Sequence, residues 1–449
     1  MTVAMADPLN ILAIDKMKGQ VGYEIEPVLC LEEDIQREIE RFYGKKDYVG
    51  EIVQIAEKDK NLKEKVIDGS VIKIVDSMIE QATEEDASDI HIEPEKDKLR
   101  LRYRIDGFLQ EISSLPKQYH PPIVSRIKVL AKMDISQKRK SQDGQIRLKI
   151  RNRMVDFRIS TYPVIHGEKV VIRILDPLKA KVRLGDLGFS KDTIQRFNQI
   201  ITEPNGMVLV TGPTGSGKTT TLYAALNSIN SQEKNIVTIE DPIEYQLENI
   251  NQANVDEKAG VTFANSLRTI LRQDPDVIMV GEIRDTETAQ LAIRAALTGH
   301  LVFSTVHTND AVGTITRLVN MELDPFLLSS SIRGILAQRL LRKVCQKCKE
   351  TYQPDSKLLQ KYDCDEGNLA FYKSVGCPQC RNTGYKGRIG IFEFLIPNDK
   401  IRNLIQQKSP ENQIRNEALK SGMVSLKDDG FGKARQGITT LEELERVVR

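Results

Sequence analysis

The chain has 449 residues, too many for one ordinary core, so about two to four domains are expected. Charged residues make up 29% and hydrophobic ones 40%, the balance of a soluble globular protein, and the net charge is only +2. That balance gives no bulk attraction to nucleic acid, no run of roughly 18 apolar residues is present to span a bilayer, and the N-terminus lacks the basic–apolar–small pattern of a secretory signal.

Residues 1–65 read as a small, acidic-leaning partial module. Its first 29 residues look like strand, helix and strand, too little for a domain with its own core, and 31–43 has helical spacing with acids near the start. An α/β domain is expected over 70–175. It opens with an amphipathic helix over 71–79 and an alternating strand over 98–104. Asp106-Gly107 supplies the hairpin turn into a strand over 108–112. A helix over 123–133 and strands over 145–150, 154–160 and 169–175 complete it. Residues 126–158 are basic, including Lys138-Arg-Lys140; a solvated face or a subunit contact is the ordinary reading, ahead of polyanion binding. The stretch 176–188, with Pro177, Gly185 and Gly188, reads as a linker.

From 189 onward strands and helices alternate. Buried strands over 207–211, 236–240, 277–280 and 301–305 predict a doubly wound parallel sheet with ligands at the carboxyl ends of its strands. Residues 341–390 carry most of the six cysteines, and 391–449 reads as helical, broken at Gly422, Gly430 and Gly437.

The segment Gly212-Pro213-Thr214-Gly215-Ser216-Gly217-Lys218-Thr219 matches G-x-x-x-x-G-K-[ST] in full, between an apolar strand and a helix beginning near Thr220. Glycines let backbone N–H groups turn inward around phosphate, and the helix N-terminus adds positive potential. Lys218 reaches the outer phosphates, and the Thr219 hydroxyl can hold Mg²⁺. The chain is therefore expected to bind a nucleoside triphosphate. Hydrolysis needs acids near metal and water, and two strand ends offer them: Glu240 in Ile239-Glu-Asp-Pro-Ile-Glu244, and Glu282 after the apolar strand Val277-Ile-Met-Val280. Gly281 stands where the common pattern has an Asp. Glu282 is the expected catalytic carboxylate and Glu240 its metal or water support. His300 precedes the strand over 301–305 and His307 follows it, so His307 is the candidate phosphate sensor, against an ordinary structural role. Cys345-x-x-Cys348 and Cys377-x-x-Cys380 have the spacing of a closed tetrahedral Zn²⁺ site with a structural role. Cys30 and Cys364 are read as isolated thiols.

Together these segments resemble the secretion superfamily ATPases that drive type IV pilus assembly and type II secretion. The resemblance covers about 70–449 and rests on the phosphate loop, the acidic box at 239–244, Arg272–Asp285, the histidine box at 298–309 and the paired cysteines. It implies a RecA-like ATPase core preceded by a PAS-like α/β domain, with an inserted zinc element and a helical C-terminal region. It further implies ATP and Mg²⁺ as ligands, a homo-hexamer, and a cytoplasmic protein held peripherally at the inner membrane by a platform protein. Arg158 and Arg173 match family arginines that approach the nucleotide phosphates, a task that suits the bidentate guanidinium. The segment 250–263 leans toward pilus assembly over type II secretion. Residues 1–65 resemble the second half of an N-terminal module that, in longer relatives, binds a cyclic dinucleotide or a platform protein. A nucleic-acid translocase is the rival from another class, and a nucleotide-gated scaffold without turnover a third.

Overall fold

The computed structural model describes residues 1–32, 34–35, 65–178, 182–355, 359–362 and 370–448, with backbone alone for 65–69. Most of the helix expected over 31–43, three residues of the expected linker, and Cys364 lie outside the described residues. The chain divides into two compact units. One comprises Met1–Arg104, Leu109–Ile146 and Arg158–Arg173, the other Ile105–Phe108, Arg147–Phe157 and Ile174–Arg449.

At the start, β1 (Thr2–Met5) and β2 (Glu26–Leu29) pair in parallel, joined through α1 (Ile11–Val21). Asn10 caps α1 by accepting from the Ala13 N–H, and Gly22 ends it in the left-handed conformation. No α1 residue is buried.

Helix α2 (Lys65–Glu84) places Val71, Ile74, Val75, Met78, Ile79 and Ala82 on one buried stripe at helical spacing. Strands β3 (Asp89–Pro94), β4 (Lys98–Ile105), β5 (Phe108–Pro116), β6 (Gln142–Ile150), β7 (Arg153–Val164) and β8 (Gly167–Leu175) form a sheet in the order β5-β4-β3-β8-β7-β6. Leu99, Leu101 and Tyr103 alternate into its core while Arg100, Arg102 and Arg104 face outward. Asp106 and Gly107 both take positive φ, 51° and 88°, as the expected two-residue hairpin turn requires. Helix α3 (His120–Leu130) buries Ile123, Val124 and Ile127.

The second unit is a seven-stranded sheet with helices on both faces. Its strands are β9 (Gly206–Thr211), β10 (Ile236–Glu240), β11 (Asn251–Asn254), β12 (Val277–Val280), β13 (Leu301–Val306), β14 (Ile332–Val344) and β17 (Tyr385–Leu395), in the order β11-β10-β12-β13-β9-β14-β17. Every ladder is parallel except β14–β17. Met207 and Leu209 of β9, with Ile278 and Val280 of β12, enter one core; Val208 and Val210, with Val277 and Met279, enter the other. A strand buried on both faces is therefore apolar throughout, which explains the unbroken runs in the sequence.

Helices α4 (Lys191–Ile201) and α5 (Lys218–Ile229) pack on the second core. Helices α6 (Phe263–Ile270), α7 (Thr286–Leu297), α8 (Ala311–Asn320), α9 (Pro325–Ser331), α10 (Asp399–Gln406), α11 (Glu411–Lys420), α12 (Leu426–Arg435) and α13 (Leu441–Val447) supply residues to the first core. Between β14 and β17, β15 (Lys349–Tyr352) and β16 (Phe371–Ser374) make a small antiparallel pair. The sheet extends further than the sequence pattern indicated: β14 is thirteen residues long, and β17 reaches Leu395, inside the stretch expected to be helical. Short apolar runs such as 391–395 carry no period that separates strand from helix.

Candidate functional site

The loop 212–217 joins β9 to α5 and depends on glycine twice over. Gly212, Gly215 and Gly217 have φ of 147°, 78° and 87°. A Cβ on Gly212 would also lie 2.4 Å from the Gln338 carbonyl oxygen, and one on Gly217 would lie 2.9 Å from Gln338 Nε2. The loop is thus wedged against β14. Pro213, Thr214 and Gly215 are exposed, Thr219 and Thr220 half-buried, and the buried Ser216 hydroxyl has no partner. Lys218 is buried and donates to the carbonyls of Gly212 at 2.9 Å and Pro213 at 3.2 Å. Burial lowers its pKa; the Glu282 carboxylate opposes that, and the Arg339 guanidinium adds to it.

Glu282 stands just past the end of β12, largely buried, with His307 Nε2 at 3.4 Å and the Arg284 guanidinium in ion pair with it. His307 lies beyond β13 and is half-exposed. A Cβ on Gly281 would sit 3.3 Å from both the Glu240 Cα and the Ile239 carbonyl oxygen, so the backbone there has little room for an Asp. The ends of β9 and β13 are tied together: the Thr211 hydroxyl donates to the Val306 carbonyl at 2.8 Å and accepts from the Thr308 N–H at 3.0 Å. His300 is at the other end of β13, its Nδ1 3.0 Å from the Ala295 carbonyl oxygen, a structural contact.

Glu240 ends β10 and is buried. Its oxygens take three donors, the Tyr223 hydroxyl, the Thr238 hydroxyl at 2.7 Å and Gln252 Nε2 at 3.0 Å. Burial and the adjacent Glu240 charge push the Tyr223 pKa well above its usual value, so the phenol remains a donor. These donors fill three of the roughly four lone-pair sites of the carboxylate, so about one remains, on the oxygen that Tyr223 holds, for metal or water.

Arg158 and Arg173, on β7 and β8, line one cavity of about 420 Å³ with Asp143, Gly144, Gln145 and Ser160. Arg173 is exposed and pairs with Asp89 at 3.2 Å.

The four paired cysteines converge where β14 ends and β17 begins. Sγ separations are 3.9 Å for Cys345–Cys377, 3.8 Å for Cys348–Cys380 and 3.7 Å for Cys377–Cys380, and all four sulfurs lie within 4.8 Å of one another. A tetrahedral ion with sulfur ligands at about 2.3 Å sets its sulfurs about 3.8 Å apart, so the cluster fits a metal. Burial raises the Cys380 pKa, but N–H groups of Cys377 and Gly384 and the neighbouring thiols outweigh it and bring it to about 7.

Sequence reasoning missed Arg284, Tyr223, Gln338 and Arg339. Arg284 stands in the quoted segment 272–285 and could have been picked as a cation two residues from the acid. The other three meet the site only through tertiary contacts.

A parallel sheet with a phosphate loop at the end of β9, and an acid past the end of β12 on the far side of β13, defines a RecA-like P-loop ATPase. Residues 64–446 match the type II/IV secretion system protein family; the chain belongs to that family and is an ATPase. Residues 1–48 match the MshEN domain. The type II secretion system ATPase E of Vibrio cholerae is 48% identical over 87% of this chain and 78% of its own length. The type IV pilus assembly ATPase PilB of Thermus thermophilus is 44% identical over 99% of this chain, which spans only 51% of that relative. The pilus retraction motor PilT, solved with bound ADP, aligns with a TM-score of 0.56 and 31% identity, over 82% of this chain and 95% of that one. Among the described residues no helix is long and apolar enough to cross a membrane.

Proposed function

We propose that the chain is a hexameric, ATP-hydrolysing motor that powers type IV pilus assembly by acting on a platform protein of the inner membrane. It would work from the cytoplasmic side, held at the membrane through that partner. The carrying observation is Glu282 at the end of β12, in the field of Lys218 and paired with His307 and Arg284.

Lys218 and the N–H groups of the loop would hold the phosphates, and Thr219 would hold Mg²⁺, which supplies Lewis-acid polarisation of the phosphoryl oxygens. Glu282 orients the attacking water, with His307 sensing the outer phosphate beside it and Glu240 as water or metal support. Arg158 and Arg173 would complete the charge stabilisation when the nucleotide is bound. Zn²⁺ in the four cysteines would staple the ends of β14 and β17. Near-normal turnover by Glu282→Gln would sink the assignment of the acid. Hexamers are checked by light scattering with a non-hydrolysable ATP analogue and Mg²⁺.

Type II secretion is the second reading, because relatives from both branches align at similar identity. Deleting the gene distinguishes them: loss of surface pili with intact exoprotein release supports the pilus, and the reverse supports secretion. A nucleic-acid translocase instead predicts DNA-stimulated hydrolysis that weakens steeply with salt.

A further inference from the structure

Ala337 is the last β14 residue to pair with β9, opposite Thr211, so β14 runs on beside the phosphate loop. Gln338 turns toward the loop and accepts from the Thr221 hydroxyl at 2.7 Å. Strand alternation turns Arg339 to the other face. There its Nη2 donates to the Asn309 carbonyl at 2.7 Å, and its Nη1 to the Gln338 carbonyl at 3.2 Å. A longer contact, 3.5 Å, reaches Asn309 Oδ1.

Every one of these acceptors is neutral. Among the described residues Arg339 forms no ion pair, and the two acids in its field are engaged elsewhere. Asp310 accepts from the Gly313 N–H at 2.7 Å, capping α8, and pairs with Arg415 at 3.0 Å. Glu393 accepts from the Ala311 N–H at 2.9 Å. Arg339 is half-buried, and its charge acts directly on Lys218, whose own donors also go to carbonyls. Lys218 and Arg339 are thus two partly desolvated cations whose hydrogen bonds go to neutral carbonyls; like charges repel, and an anion bridging them converts the repulsion into binding. Asn309 follows His307, which contacts Glu282, so the bridge falls on the hydrolysed end of the nucleotide.

We infer that Arg339 is a contact of the bound triphosphate, exchanging its neutral hold on Asn309 for the terminal phosphate. A guanidinium fork gains most from an acceptor that is charged and can be gripped by two N–H groups. The inference rests on the nucleotide site proposed above and adds a residue that tells ATP from ADP.

The test titrates a fluorescent non-hydrolysable ATP analogue and fluorescent ADP, each with Mg²⁺, into the full chain and into Arg339→Gln and Arg339→Lys. The Gln variant is expected to lose about tenfold or more in analogue affinity while ADP changes by less than about threefold, with Lys in between. Equal weakening of both nucleotides, or no change in either, overturns the inference. Thermal unfolding without nucleotide accompanies each variant; if Gln does not fold, the analogue-to-ADP ratio of the Lys variant decides. Failure of the unaltered chain to bind either nucleotide overturns the underlying site as well, so the two failures are told apart.

Discussion

The phosphate loop and the tetracysteine cluster sit along one strand and obey opposite rules. β14 passes the loop at Gln338 and meets the cluster at Cys345, roughly 23 Å further along extended backbone. At the loop, cations rest on replaceable acceptors: Lys218 on loop carbonyls, Arg339 on Asn309. At the cluster, sulfurs accept from backbone N–H groups of Gly376, Cys377 and Gly384. Nearby, the buried Glu443 is paired by both Arg342 and Arg446. A site that must take up and release an anion keeps its charges lightly held. A site that staples two strands is satisfied from within.

The largest effect tests the loop end. Glu282→Gln should lower hydrolysis by about a thousandfold or more if, as proposed, Glu282 is the group that orients water. Labelled ATP should still bind, and the thermal transition should stay in place, because the ion-pair partners of Glu282 among the described residues, Arg284 and His307, are both at least half-exposed. Phosphate release and nucleotide titration on one preparation check both halves. A large loss of stability would break the contrast, by making Glu282 structural.

Next in size comes the cluster. Stripping metal with a chelator, or making Cys345→Ser with Cys380→Ser, should cost several kcal/mol of stability. Nucleotide affinity should change little, given the length of strand between the sites. Elemental analysis should find zinc in the unaltered chain and lose it in the variant. Unchanged unfolding after metal loss would show that the cluster does not act as a staple.

Both ends were legible where their chemistry is local. Gly212, Gly215 and Gly217 announce themselves because the backbone conformation itself demands glycine, and paired C-x-x-C spacing is a property of the chain alone. The parallel core was legible too, because strands buried on both faces must be apolar throughout. What failed to show was whatever depends on a distant partner. Arg339 reads as any surface cation in Gln338-Arg-Leu-Leu-Arg-Lys343 until Asn309 is brought beside it. Glu240 reads as a free strand-end acid until Tyr223 and Gln252 close on it. The same holds for β17, whose last residues are apolar in a way that fits helix or strand, and only the pairing with β14 decides.

Two buried glutamates sharpen the contrast further. Glu443, at the cluster end, is opposed by burial, but Arg446 and Arg342 outweigh it and lower its pKa below 4.5. Its contribution is therefore fully present above about pH 5, and is lost as pH falls through the folded-state value. Glu443→Gln should cost roughly 3 kcal/mol at pH 7, leaving two guanidinium groups short of a charged partner. The deficit should narrow in denaturant titrations on acidification below pH 5.

Glu393, on the loop side of β17 where it pairs with Ala337, has the reverse sign. Burial raises its pKa above 4.5; the Ala311 N–H opposes this and the Asp310 charge reinforces it. The folded chain therefore holds this proton more tightly than the unfolded one, so stability falls as pH rises from 4.5 through the folded-state value. Glu393→Gln keeps a carbonyl for the Ala311 N–H and removes the buried charge. It should leave stability at pH 7 unchanged or raised by about 1 kcal/mol, an advantage that shrinks toward pH 4. A loss at pH 7 as large as that of Glu443→Gln would mean that the carboxylate is paired as tightly near the loop as near the cysteines. Glu393 would then be better satisfied than the cations beside it, and the lightly held charge at that end would reside in Lys218 and Arg339 alone.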